Sequence, residues 1–180
     1  MASLKHLIDI VGDALCVTPA ALYERQRVLV RAGLLEAAVS KGPGGGIQAT
    51  PETVALLLTA TLASSALSEV GKRTRQIASA KYVPRGKETR CPVSQATTFI
   101  EALVWAISSL ENAKRSGLVT VSQTRPTASI LFYRKSRSHV SVFGTNSYTP
   151  GIHISADLPS DSLEQVAQLL NKLQTAGAET

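Results

Sequence analysis

The sequence predicts an α+β protein made of two parts, and two features of its hydrophobic pattern carry this prediction. In the first third of the chain, apolar residues recur at helical spacing on both sides of a short turn, and a glycine-rich segment follows. In the second half, four strand-like runs lie between two helical segments, in the order α-β-β-β-β-α, which is typical of a small antiparallel domain. We therefore assign 1–68 and 92–180 to two domains and 69–91 to a basic connector.

Composition narrows the class of protein. The 180 residues are 44% hydrophobic with a formal net charge of +6, which excludes a chain that is disordered throughout. Only two cysteines are present, so a disulfide scaffold is excluded and a reducing, cytoplasmic setting is favoured. The longest uncharged stretch, 53–68, is too short to cross a bilayer, and Asp9 and Asp13 interrupt a stretch that otherwise resembles an export signal. We expect a cytoplasmic protein without a membrane-spanning segment.

Two helices separated by a short turn are predicted at the N-terminus. Residues 4–15 carry apolar side chains three or four positions apart, with Ser3 as the N-cap. Thr18-Pro19 begins the second helix, because threonine caps free N–H groups and proline fits the first turn. This helix extends to about residue 32 and ends at Gly33, a residue suited to the left-handed C-cap position.

A hairpin and an apolar helix are predicted next. The hairpin has a first strand at 34–39, a glycine-rich tip at 40–46 and a return strand at 47–49. Thr50-Pro51 then repeats the signal for a helix start, and the helix through about Leu67 is apolar on nearly every side. A helix without a polar face is usually buried, in a core or in a subunit interface.

The remaining elements follow from periodicity and from turn residues. A basic helix is predicted for 69–81, a linker with two prolines for 82–96, and an amphipathic helix from Phe99 to about Lys114. A last helix is capped by Ser160 or Asp161. The predicted strands are 118–124, 128–134, 139–145 and 152–158.

Basic residues are concentrated between the two predicted domains. Residues 1–50 carry five basic and four acidic groups, whereas 66–91 carry seven basic groups against Glu69 and Glu88. The basic part of this segment, 72–90, has three interpretations: a solvated linker, an additional arm that contacts phosphates, or a docking surface for an acidic partner. The linker is the most economical of them, although a positive net charge favours contact with nucleic acid.

The order helix, turn, helix and glycine-tipped hairpin is that of a winged helix-turn-helix. The segment 18–50 resembles the recognition helix and wing of MarR-type and related bacterial transcription regulators. Its most specific part is LVRAGLL at 29–35, where a helix-ending glycine follows a buried leucine by four residues, and the GPGGG tip agrees with it. The resemblance covers about 3–50. It departs from the family in two respects: no helix precedes 4–15, and Arg25-Gln26 occupies positions that the family often fills with apolar residues.

The resemblance implies a sequence-specific DNA-binding transcriptional regulator of bacterial or phage origin. Its recognition helix, about 18–32, would enter a major groove about 12 Å wide, and its wing, about 34–49, would lie on the sugar-phosphate backbone. Arginine pairs with guanine and glutamate accepts from the cytosine amino group, while wing glycines allow close backbone approach. The residues expected at base edges are Thr18, Ala20, Tyr23, Glu24 and Arg27, and those expected at the backbone are Arg31, Lys41, Gly44 and Gly45.

Other classes of function receive less support from the sequence. The three histidines have no metal-ligand spacing and no paired carboxylates stand out, so we expect no enzyme activity, no metal and no cofactor. An alternative is a non-enzymatic adaptor that binds proteins through the winged helix and the C-terminal sheet. A third is a sensor that binds a metabolite on the C-terminal sheet or responds to oxidation at Cys91, whose basic surroundings would lower a thiol pKa. Cys16 is interpreted as a small core residue.

A homodimer is expected, held at least partly by residues 51–67. A helix there shows water no polar group beyond threonine and serine, and a small N-terminal unit has little core in which to bury it. Pairing would place two recognition helices roughly 34 Å apart on a palindromic site of double-stranded DNA. The alternative is that this helix packs under the C-terminal sheet of its own chain.

Overall fold

Seven helices and a four-stranded sheet make up the part of the chain that the structure, a computed structural model, describes: residues 3–36, 46–134, 137–145 and 152–176. The predicted α+β class is confirmed. The helices are α1 (Leu4–Leu15), α2 (Pro19–Arg31), α3 (Pro51–Ala63), α4 (Leu67–Ala78), α5 (Phe99–Ile107), α6 (Leu110–Lys114) and α7 (Ser160–Ala176). The strands are β1 (Ser116–Ser122), β2 (Thr127–Arg134), β3 (Arg137–Gly144) and β4 (Ser155–Leu158).

The first three helices begin where the capping signals predict. The hydroxyl of Ser3 accepts from the His6 N–H, and that of Thr18 accepts from the Ala21 N–H, both at 3.3 Å. Thr50 and Thr53 cap each other's backbone N–H groups at the start of α3. Each bond satisfies a donor that the first turn of a helix leaves without an intrahelical partner.

The predicted helix through Leu67 is wrong at its end, because α3 stops at Ala63. Ser64 is extended, and its hydroxyl accepts from the Ala66 N–H at 3.1 Å, so a short turn separates α3 from α4. Serine side chains bond nearby backbone groups and so compete with helical hydrogen bonds. The basic helix predicted after this point is present as α4.

The C-terminal elements follow the predicted order, with one addition. A second short helix, α6, precedes the sheet because Ser109 caps a new start. The strands are antiparallel in the order β3-β2-β1-β4, so the last strand pairs with the first one, with Val119 of β1 opposite Leu158. β4 is shorter than the predicted strand, since only 155–158 of it are strand.

The predicted linker at 82–96 is wrong for its two ends, which are packed against the protein. Tyr82 forms an antiparallel bridge with Phe143 on β3, and the Val83 N–H donates to the Val142 carbonyl at 2.8 Å. Further along, the side chain of Cys91 is buried with its sulfur 3.1 Å from the Ser141 hydroxyl. The segment therefore covers the outer edge of β3 through contacts distant in sequence.

The core is continuous from α1 to α7. The apolar helix α3 packs on α2, α4 and α5 and also on strands β1 and β4, and Leu57 is 1% exposed. The second of the two expectations for this helix, burial within its own chain, is the one observed. The apolar surface that favoured a dimer interface at 51–67 is thus covered. No helix in the described ranges is long and apolar enough to cross a membrane.

Candidate nucleic-acid interface

The turn between α1 and α2 is tight, and it fixes how the second helix leaves the first. Cys16 adopts a left-handed conformation with φ of 51°, and the Val17 N–H donates to the Gly12 carbonyl at 3.0 Å. A β-carbon at position 12 would lie 2.8 Å from the Val17 carbonyl oxygen and 3.3 Å from Pro19. The turn therefore requires glycine at position 12, and α2 is held close against α1.

One face of α2 is buried and the opposite face is in contact with solvent. Leu22 and Leu29 are fully buried. The exposed face repeats at positions i, i+3, i+4, i+7 and i+11, as expected for one side of a helix. The predicted contact residues Thr18, Ala20, Tyr23, Glu24, Arg27 and Arg31 are all exposed or half-buried there or at the N-cap.

Charges on this face are arranged in close pairs along the helix. Arg27 Nη1 lies 3.1 Å from Glu24 Oε1 in an ion pair whose side chains are 60% and 42% exposed. Arg31 follows one turn later, with its Nε donating to the Arg27 carbonyl at 3.4 Å. Exposed ion pairs of this kind contribute little to stability, so their members can exchange partners at low cost.

Helix α4 lies directly beside α2 and adds further cations. A β-carbon at Gly71 would lie 3.0 Å from the β-carbon of Ala32, so the two helices are in close contact there. Arg75 Nη2 donates to the Ala32 carbonyl at the end of α2, and Lys72 on the same helix is exposed. We name Arg27, Arg31, Lys72 and Arg75 the α2–α4 basic surface.

A groove runs along the junction of these two helices. It has a volume of about 440 Å³ and is lined by Val28, Arg31, Ala32, Leu67, Ser68 and Gly71. Sequence reasoning missed that α4 belongs to this surface, because the pattern showed only a basic tract. The available signal was the spacing of Lys72 and Arg75, which puts both on one side of a helix.

Arg25 and Gln26, which stand where MarR-type regulators often have apolar residues, are partly buried on the inner side of α2. Arg25 donates through Nη1 to the Ala21 carbonyl and through Nη2 to the Ser64 carbonyl, each at 3.3 Å. Burial of the guanidinium lowers the pKa of Arg25 from its ordinary value. Because Ser64 is the C-cap of α3, the cation meets the negative end of that helix. Arg25 thus fastens α2 to α3.

The predicted hairpin is described only at its two ends. Gly33 has φ of +65° and ends α2 as predicted, but 34–35 form a bend and Glu36 is in no regular element, so the predicted strand is absent from its described part. On the return side, Gln48 forms an antiparallel bridge with Ser3, and the Leu4 N–H donates to the Ile47 carbonyl at 2.6 Å. The predicted contacts Lys41, Gly44 and Gly45 lie outside the described residues.

Cys16 was predicted to be a small core residue, and this prediction is wrong. Cys16 is exposed in the turn before α2, because the left-handed backbone turns its side chain away from the core. Cys91 is fully buried, and besides Ser141 its sulfur accepts from the Ser94 N–H at 3.4 Å. This burial argues against the redox sensor considered for Cys91, since a sensor thiol must be accessible to the oxidant.

Histidines are scattered over the part of the chain that the structure describes. His139 lies on β3, and His153 precedes β4, where its Nε2 is 2.7 Å from Arg125 Nη2. No group of three or more residues suited to hold a metal ion occurs among the described residues. The exposed face of α2 with its flanking cations is therefore the strongest candidate site.

Comparison with known proteins gives no match to a family model, to a curated protein or to a solved structure. The candidate interface therefore rests on its own residues and geometry.

Proposed function

We propose that the protein is a sequence-specific DNA-binding transcriptional regulator whose helix α2 enters the major groove. The observation that carries the proposal is the exposed face of α2, which projects Tyr23, Glu24 and Arg27 away from the buried Leu22 and Leu29. The groove of B-DNA, about 12 Å wide, admits one helix of this kind. The preceding tight turn holds the helix in a fixed position, as readout of bases requires.

Base contacts are assigned to the first turns of α2. Arg27 donates two parallel hydrogen bonds to a guanine, and Glu24 accepts from a cytosine amino group. In the free protein these two side chains pair with each other. Because the pair is exposed, exchanging it for base contacts costs little. Thr18, Ala20 and Tyr23 lie along the same face and supply the remaining contacts with bases or sugars.

Phosphate contacts are assigned to the rest of the α2–α4 basic surface. Arg31, Lys72 and Arg75 flank the reading face, where the strands of a bound duplex rise on either side of the groove. Arg75 is positioned by its hydrogen bond to the Ala32 carbonyl, which leaves other N–H groups of the guanidinium for a phosphate.

We assign residues 34–49 to a wing that lies on the DNA backbone. Its support is the return segment, which is bonded to the residues that begin α1 through the Ser3–Gln48 bridge. This bridge holds the return segment beside the start of α1. Lys41, Gly44 and Gly45 would then meet the sugar-phosphate ridge, where glycine allows the backbone to approach closely.

A protein-binding adaptor is the second candidate, and one surface favours it. The face of the sheet that the helices leave uncovered carries Leu118, Tyr133 and Val140, which are 37%, 47% and 37% exposed. Exposed apolar side chains grouped on one face are typical of protein interaction sites. This surface is on the opposite part of the chain from α2, so both functions are compatible.

The test is selection of bound sites from random duplex DNA, followed by affinity measurements on the selected and unrelated duplexes. Arg27→Ala should weaken binding to the selected site by roughly 1–3 kcal/mol and relax its specificity. Lys72→Ala should weaken all duplexes alike. Arg137→Ala, at an exposed arginine of β3, is the matched control and should change neither. Failure to select any site, with the protein folded, would leave the adaptor as the better account.

A further inference from the structure

The two edges of the sheet differ in whether another segment of the chain bonds to them. The outer edge of β3 is covered by 81–83, whose backbone bonds to Val142 and Gly144. The other edge is β4, and among the described residues no strand pairs with its outer side. An open edge presents unpaired N–H and C=O groups and is a template for another strand.

Large apolar side chains lead into this open edge. Ile152 is 87% exposed and Ile154 is 52% exposed. The segment IHISADL at 152–158 alternates strictly, so both isoleucines continue the row of Ala156 and Leu158. Leu158 is buried on the helix-covered face. This line of apolar side chains therefore begins in the core at Leu158 and continues past the end of β4, where Ile154 and Ile152 are exposed to solvent.

The hydrogen bonds of β4 to β1 show which residues face outward. The Gln123 N–H donates to the Ile154 carbonyl at 2.8 Å, and Val121 lies opposite Ala156. In an antiparallel pair, directly bonded positions alternate with positions whose N–H and C=O point away. Positions 154, 156 and 158 therefore bond β1, while His153, Ser155 and Asp157 direct their backbone groups to the open edge.

We propose that β4 pairs antiparallel with β4 of a second copy about a two-fold axis at Ser155. In this register Ser155 bonds its own symmetry mate, and His153 lies opposite Asp157 of the second copy. Ile154 meets Ala156 and Ile152 meets Leu158 on the other face. An axis at Asp157 would oppose two carboxylates, which is unfavourable.

The contact between His153 and Arg125 determines which ring nitrogen of His153 can donate to Asp157 of the second copy. Arg125 Nη2 lies 2.7 Å from His153 Nε2, and because a guanidinium only donates, Nε2 accepts. With Nε2 accepting, Nδ1 is the ring nitrogen that can donate to the carboxylate of Asp157 in the second copy. Two such pairs are formed, since the axis repeats each contact.

Pairing would produce a continuous eight-stranded sheet and cover the exposed isoleucines. This dimer uses no residue of the α2–α4 basic surface, so it holds whether or not the protein binds DNA. It also differs from an interface at 51–67, where most of the apolar side chains are buried inside the chain.

Sedimentation velocity of the full chain over a micromolar concentration series tests the proposal. The wild type is expected to dimerise, and Asp157→Lys and His153→Glu should each raise the dimer dissociation constant about tenfold or more, because two attractive pairs are lost. The double variant His153→Glu/Asp157→Lys should recover most of the affinity, since the charges are exchanged. Arg137→Glu, a charge reversal on β3, is the control and should leave the dimer intact.

Ser155→Pro is a second, backbone test. It removes an N–H that faces the open edge and none that bonds β1, and proline is tolerated on such edges. The variant should be monomeric with an unchanged circular dichroism spectrum. A wild type that stays monomeric, or a dimer that neither Ser155→Pro nor Asp157→Lys weakens, would overturn the proposal.

Discussion

A β-carbon built on Gly12 would lie 2.8 Å from the carbonyl oxygen of Val17, closer than such atoms approach in proteins. The Val17 N–H in turn donates to the Gly12 carbonyl at 3.0 Å. These two contacts close the turn between α1 and α2 with no space for a side chain. The placement of α2, the proposed reading helix, therefore depends on a buried glycine of α1.

Gly12→Ala should destabilise the protein, although alanine favours helices by up to about 1 kcal/mol over glycine. The new methyl group must push the Val17 backbone or Pro19 away, and overpacking of this kind costs roughly 1–3 kcal/mol. Urea unfolding followed by circular dichroism measures the change. Gly86→Ala is the control, because a β-carbon there meets nothing within 4 Å. A gain in stability for Gly12→Ala would show that the turn is looser than described.

Leu57→Glu should prevent folding rather than dissociate a dimer. Leu57 is 1% exposed and lies in the centre of the core, where a carboxylate has no partner. The milder Leu57→Ala should lower the free energy of unfolding by about 2–5 kcal/mol. Leu67→Ala is a control at a leucine that is 42% exposed. A cooperative thermal transition in Leu57→Glu close to that of the wild type would contradict this placement of α3.

The two thiols should react at very different rates. Cys16 is exposed, whereas Cys91 is fully buried beside Ser141. An aromatic disulfide reagent is therefore expected to modify Cys16 rapidly in the native protein and Cys91 only after denaturation. Cys16→Ser should remove the fast phase and Cys91→Ser should retain it. Rapid modification of Cys91 in native Cys16→Ser would restore the interpretation of that residue as a redox sensor.

Glu101 should contribute stability that is lost in acid. The Thr97 backbone N–H, at 2.8 Å, is the main cause that lowers the pKa of Glu101 below its ordinary value of 4.5, and the Thr97 hydroxyl and the Thr98 groups lower it further. Because the pKa is lower in the folded state, this stability is fully present above about pH 4.5 and disappears as the pH falls through the folded-state pKa.

Glu101→Gln should lower the free energy of unfolding by about 1 kcal/mol at neutral pH, as loss of other helix caps does. The stability of this variant should also depend less on pH in the acid range. Unfolding by urea at several pH values measures both effects. Thr97→Val keeps the backbone donor and loses the hydroxyl, so an intermediate effect is expected. If Glu101→Gln and the wild type lost stability equally below pH 4.5, the capping role would be refuted.

Local signals in the sequence predicted the starts of the helices well. Ser3, Thr18 and Thr50 cap helices through bonds to residues three positions away, so the pattern contains both partners. The four C-terminal strands were predictable from a similarly local signal, because alternation along each strand records which face is buried. The end of α3 was missed, since an apolar pattern does not show that Ser64 bonds the Ala66 N–H.

Contacts between distant residues could not be predicted. Arg25 bonds the Ser64 carbonyl 39 positions away, and Arg73 bonds the Ser122 and Arg125 carbonyls in the turn between β1 and β2. Charged side chains at helical spacing look the same whether they face solvent or cap a distant carbonyl. For this reason the sequence indicated a solvated linker where α4 lies against α2. The sequence also suggested that Cys16 is a core residue, whereas its side chain is exposed.

The salt dependence of duplex binding tests most directly whether the α2–α4 basic surface is a DNA-binding site. Fluorescence anisotropy with a labelled duplex should give an affinity whose logarithm falls linearly with the logarithm of salt concentration, because bound cations displace counterions from phosphates. Arg31→Ala should make that slope shallower by about one unit, while Arg137→Ala should leave it unchanged. Absence of duplex binding at low salt, or a slope that Arg31→Ala does not alter, would contradict the account.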